Sequence, residues 1–217
     1  MIRVPEVSEI DQHLLNRRMT GVSLGLLAVS VLCVMLALAL MPESYSIVEH
    51  SISESAAQRV EGVWLARAGL LLFGLAVLGL AAGVGSRWGV WGRVAHRAYG
   101  VSIISSAVFA HMPWEDVPYD EFEDLLHSIA SFAVGMSFVG GVVLVGLRRR
   151  RPASWVRALD GVAVIASVVI PMIMFSVAGY AGLVQRVMFV IAYVWYGVEG
   201  VRSVWPSGVP VVSRPAD

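Results

Sequence analysis

Six apolar blocks, at residues 20–41, 63–84, 97–110, 125–147, 158–178 and 183–204, decide what this 217-residue chain can become. The third has Gly89 as its earliest start. Each block crosses, or nearly crosses, a hydrocarbon core about 30 Å thick, and runs of about 18 apolar residues are the mark of transmembrane helices. A soluble domain rarely tolerates 57% hydrophobic residues and a mean hydropathy of +0.73. The expected fold is all-α: a polytopic integral membrane protein, a six-transmembrane-helix bundle. No compositional boundary divides the chain. Residues 1–19 read as a cytoplasmic N-terminal segment, 20–204 as one transmembrane domain, and 205–217 as a cytoplasmic tail. The start resembles a signal peptide, with Arg17 and Arg18 before an apolar run. No small-residue cleavage site closes that run, and five more follow, so it is kept as a span.

Orientation follows from arginine, since all sixteen basic residues are arginine. In a six-span topology thirteen lie on one side: Arg3, Arg17, Arg18, Arg87, Arg93, Arg97, Arg148, Arg149, Arg150, Arg151, Arg157, Arg202 and Arg214. Only Arg59, Arg67 and Arg186 lie on the other. The positive-inside rule then puts both termini in the cytoplasm, as expected of a multi-pass protein of a cell membrane. The run 148–151 reads as a topology anchor beside anionic lipid. The net charge is zero, which gives no pointer to nucleic acid. The single cysteine, Cys33, forms neither an internal disulfide nor a thiolate metal site by itself.

The densest charge, "HMPWEDVPYDEFEDLLH" from His111 to His127, falls in the outer link between spans 3 and 4. Glu115, Asp116, Asp120 and Glu121 read as a wet turn around Pro113 and Pro118. Asp124 and His127 are three residues apart, so they share a helix face with Ser128, Ser131 and Gly135. Asp124 is either a helix cap or a charge partner, and His127 either an interhelical hydrogen-bonding group or a ligand or proton-transfer group. Arg67, about one turn inside span 2, either snorkels or meets a carboxylate, and Arg186 begins span 6 at the same level. The expectation is an outer mouth in which Arg67, Arg186, Asp124 and His127 converge, with arginines suited to a carboxylate or phosphate. Ser53, His127 and Asp124 supply the residue types of a hydrolytic triad, and His111, Asp124 and His127 those of a zinc site. Neither set has a trusted spacing, and the cofactor is left open. At the inner end, Glu199 with Arg202 and Asp160 with Arg157 read as structural ion pairs. The aromatic stripe of span 6 reads as packing.

Taken in order, "YSIVEHSIS" with Ser53, "WLARAGLLLFGL", "FAHMPWED", "DLLHSIAS" and "GLVQR" followed by Trp195 resemble the DUF998 family of small prokaryotic membrane proteins. The resemblance covers about residues 20–204. It implies a six-helix membrane fold and no established activity. The "AHMPW" exit and the acidic residues from Glu115 to Glu123 depart from the family pattern. Two functions follow from the residues. One is a mouth for an anionic small molecule or lipid head group, or an accessory subunit packed on another membrane protein. The other is a membrane-embedded hydrolase, with or without a metal, using His127 and Asp124. A transporter is less supported, because no charge lies at the midplane.

Overall fold

The computed structural model describes residues 7–205, and the C-terminal tail lies outside them apart from Trp205. Six helices form the fold: α1 (Val7–Ala37), α2 (Val63–Gly83), α3 (Gly89–Val108), α4 (Glu121–Arg148), α5 (Ser154–Ser176) and α6 (Ala181–Val204). There is no strand among the described residues. Five helices, all but α3, are long and apolar enough to cross a membrane. α3 has 20 residues, but Arg93, His96 and Arg97 lower its apolar content. It also starts eight residues before the apolar block at 97–110, so His96 lies inside the helix rather than in a link. α1 begins at Val7, so most of the polar N-terminal segment is helical.

The helices alternate in direction. One end of the bundle carries the loops 41–62 and 109–120; the other, the termini end, carries the start of α1, the end of α6 and the short links α2–α3 and α4–α5. α1 packs on α2, α2 on α3 and α3 on α4, while α6 closes against α1 and α5. Close approach depends on small residues, as in membrane helix pairs generally. A Cβ on Gly74 would sit 2.6 Å from the Gly100 carbonyl, and one on Gly100 would sit 2.9 Å from the Gly74 carbonyl. At mid-depth, Ser30 of α1 donates to the Gly69 carbonyl of α2 (2.7 Å) and lies 2.6 Å from the Tyr193 hydroxyl of α6.

The core is aromatic. Phe73 stacks on Tyr193 at 4.1 Å and meets Tyr99 and Tyr196 edge-on. Phe138 packs against Tyr99, Trp195 and Tyr196. The span 6 stripe is therefore core packing, in keeping with its helical spacing. Large apolar side chains such as Phe132, Met136, Ile165 and Met172 point outward. That is the reverse of a soluble domain and suits a lipid surround.

Candidate functional site

At the loop end, irregular backbone has to find hydrogen-bond partners near the membrane, and the charged residues supply them. Asp120 is the N-cap of α4: its Oδ1 accepts from the N–H groups of Phe122 (2.9 Å) and Glu123 (3.0 Å). The cap therefore falls on Asp120 and not on Asp124, and Asp120 is no free loop carboxylate. Glu123 accepts from Ala110 N (2.8 Å), and Asp124 from Met112 N (2.7 Å) and His111 Nδ1 (2.6 Å). His127 is buried, and its Nδ1 faces the carbonyls of Ser106 (3.0 Å) and Phe109 (2.8 Å). Two acceptors require the proton on Nδ1, so a neutral His127 keeps its lone pair on Nε2. α4 thus ties down the exit of α3: its acids take loop N–H groups and its histidine takes the last carbonyls.

Arg67 and Arg186 do not join Asp124. Arg67 donates to the carbonyls of Ala56 (3.1 Å) and Ala57 (3.2 Å). Arg186 donates to Ile47 O (2.7 Å), His50 O (2.8 Å) and the Tyr45 hydroxyl (2.5 Å). Burial pushes the Tyr45 phenol up, with Arg186 pulling it down, so it stays protonated at neutral pH and donates to Ser51 O. The start of α6 adds Gly182 N to Glu49 O (3.1 Å), Leu183 N to Val48 O (3.0 Å) and Gln185 Oε1 from Ile52 N (2.7 Å). Segment 45–52 is laid on the free N–H groups of a helix start. The expected four-residue mouth is in fact two separate anchors, because unsatisfied carbonyls of the first loop claim both arginines.

Ser53 is half-buried beside the 3₁₀ turn Glu54–Ala56, its side chain caps nothing, and no hydrogen bond joins it to His127 or Asp124. The neighbouring Ser51 and Glu54 cap that turn reciprocally. No group of three His, Cys, Asp or Glu side chains is arranged to hold a metal among the described residues. His111 and His127 stack at 5.0 Å with planes 24° apart, which directs their in-plane lone pairs along near-parallel planes and not toward one ion.

A residue missed in the sequence organises this end. Gln58, buried, donates from Nε2 to Ala110 O (3.2 Å) and Asp120 O (2.9 Å) and accepts from Asp120 N (2.8 Å). Its own N–H bonds His111 O (2.9 Å), so it stitches the two loops together. The only sequence signal was a polar side chain among the small residues of "SAAQR". At the same end opens a cleft of ≈ 550 Å³, lined by Glu49, His50, Glu54, Trp114, Met112 and Met174 among others. Tyr45, His50 and Trp114 form a three-ring wall, with His50 on Trp114 at 5.1 Å. His50 Nδ1 accepts from Ser46 N, which leaves a donor at Nε2, while the Trp114 Nε1–H is buried without a partner among the described residues.

The opposite end holds a buried polar box. Glu199 accepts from Trp88 Nε1 (2.9 Å) and Arg202 (2.8 Å) and lies 2.7 Å from Arg149 Nη2, off the line of its N–H. Asp160 pairs with Arg149 and accepts from Trp195 Nε1 (2.8 Å). The partner of Asp160 is therefore Arg149 and not Arg157, and one member of the arginine run turns inward. Next to the box, His96 is fully buried between Trp88 and Trp195, its Nδ1 2.9 Å from the Tyr196 hydroxyl. It lies on the face of Gly92, Tyr99 and Ile103, a helical spacing visible in the sequence once α3 starts at Gly89.

Separate anchors have a testable consequence. Asp124→Ala leaves Met112 N and His111 unpaired and should cost about 1–3 kcal/mol. Arg67→Ala acts on another loop, so the double mutant should be additive within about 0.5 kcal/mol in detergent melts.

Long apolar helices, outward apolar faces and polar groups paired at both ends define a multi-pass membrane protein. Residues 24–202 match DUF998, described as a protein of unknown function, and the chain belongs to that family. No curated protein and no solved structure matches it.

Proposed function

We propose that this is a six-span membrane binding protein, termini in the cytoplasm, whose loop-end cleft takes a zwitterionic, amine-bearing lipid head group or small amphiphile from outside. The cleft lining carries the reading. Glu49 and Glu54 offer acceptors for an amine, His50 offers an N–H donor for a phosphate, and Trp114, Met112 and Met174 offer apolar contact. Neither Arg67 nor Arg186 lines it, and both spend donors on loop carbonyls, which disfavours the purely anionic ligand expected from the sequence. In the hydrolase alternative, His127 Nδ1 and Asp124 Oδ1 are likewise taken up by the exit of α3, the first by carbonyls and the second by Met112 N and His111. α3 is the sixth crossing in this proposal. Its buried His96 faces protein, and Arg93 and Arg97, near the helix start, can reach the interface.

Two measurements test it. Short-chain phosphatidylethanolamine should bind the detergent-solubilised protein better than short-chain phosphatidylglycerol. Glu49 is exposed and has no side-chain partner among the described residues, so Glu49→Gln should weaken the amine lipid by about fivefold without unfolding. Equal binding of both lipids, or an unaffected Glu49→Gln, rejects the ligand class. For topology, cysteines placed at Glu43 and Asp116 should label from outside, and those at Gln12 and Arg150 should not. External labelling at Arg150 rejects the orientation.

A further inference from the structure

The two most exposed large apolar side chains among the described residues, Leu147 (81%) and Trp91 (72%), flank one groove at the termini end. It measures ≈ 240 Å³ and runs between the start of α3 and the end of α4, with Trp88, Val90 and Leu144 completing the apolar wall. Its one charged lining residue is Arg148. Gly89, at φ 66°, makes a bed for that side chain: a Cβ there would lie 2.8 Å from Arg148 Cδ and 2.9 Å from Nε. Arg93 holds the same glycine by donating to its carbonyl at 3.3 Å. No carboxylate lies within ion-pair distance of Arg148 among the described residues, whereas its neighbour Arg149 has two.

An unpaired guanidinium at the end of a crossing helix, ringed by uncovered apolar side chains, is complementary to an anion carried on an apolar body. We propose that an anionic phospholipid of the leaflet at the termini end seats in this groove. Its phosphate takes the two-pronged donor edge of Arg148, and Trp91 sits at the level of the glycerol. An acyl chain runs toward the midplane along Leu147 and Leu144, beside the exposed Val94 of α3. Basic pockets between membrane helices recognise head groups in this way. Free phosphate would leave Trp91 and Leu147 uncovered, so the lipid is the source that uses the whole groove. The site is separate from the loop-end cleft and stands or falls independently of it.

The test uses the full chain in phosphatidylcholine vesicles containing brominated phosphatidylglycerol or, separately, brominated phosphatidylcholine. Trp91 emission, taken as wild type minus Trp91→Phe, should be quenched more by the anionic lipid. Arg148→Gln should lower that preference about tenfold, as the loss of a charge-assisted hydrogen bond to the phosphate implies. Gly89→Ala should lower it too, by displacing Arg148 without removing charge. Arg150→Gln, exposed and outside the groove, should leave it unchanged. If Arg148→Gln melts early, Arg148→Lys takes its place, and its preference should fall between the two. Equal quenching by both lipids overturns the proposal. So does an Arg150→Gln effect as large as that of Arg148→Gln, which would mean surface attraction alone.

Discussion

Glu199→Ala is expected to be the most damaging single substitution in the bundle. The side chain is 5% exposed and serves Trp88, Arg149 and Arg202 at once. Its removal leaves the indole N–H of Trp88 without an acceptor. It also leaves Arg149 with Asp160 alone to balance its charge. Stranding one member of a buried charge network typically costs about 3–5 kcal/mol, because the remaining charge stays desolvated. Glu199→Gln should cost less, since an amide oxygen can still accept from Trp88 while the charge is lost. Arg157→Ala is the control. It is exposed and has no carboxylate within ion-pair distance among the described residues, so its effect should stay below about 0.5 kcal/mol. Thermal melts in detergent decide the matter: an Arg157→Ala loss equal to that of Glu199→Ala would restore the sequence-derived pairing of Asp160 with Arg157.

The second large effect is expected at Gln58. Its side chain is buried and bonds Ala110 O, Asp120 O and Asp120 N. Gln58→Ala leaves all three without that partner. A buried polar group left unsatisfied costs about 1–3 kcal/mol, and water reaching this end of the bundle should recover part of it, so the loss should be about 2–4 kcal/mol. Hydrogen exchange should localise the damage, with faster exchange at Asp120 N–H and in the first turn of α4, and little change in α2 or α6. Asp116→Ala, in the loop that Gln58 holds but exposed and bonded to nothing among the described residues, should stay below about 0.5 kcal/mol. Uniform acceleration over all six helices would show Gln58 to be a global core residue and not a loop stitch.

Most helix limits were legible because they depend on local content. A block of apolar residues long enough to cross a membrane must satisfy its backbone internally, and that makes it a helix whatever surrounds it. α2 and α6 accordingly lie within two residues of their apolar blocks. α3 was harder, because buried polar residues such as His96 break the apolar pattern while still facing protein. The matched motifs were legible as strings too. Their meaning was not: "YSIVEHSIS" and "GLVQR" are the two halves of one contact, in which α6 holds the first loop by backbone and arginine.

What the tertiary structure alone decided was which polar group meets which. Arg67, Arg186 and Asp124 lie within the first two turns of helices that start at the same end of the bundle, so the sequence allowed them to pair. The choice went instead to the nearest unsatisfied backbone, which depends on the path of a loop with no periodic signal. The same holds for the four consecutive arginines 148–151. Where the chain leaves α4 and which way each side chain then turns send Arg149 to Asp160 and Glu199, and leave Arg148 on the groove and Arg150 in the open. Composition sees four equal charges there. Only the packing around the end of α4 and the turn after it makes one of them a half-buried ion-pair partner, one a wall of the groove and one free.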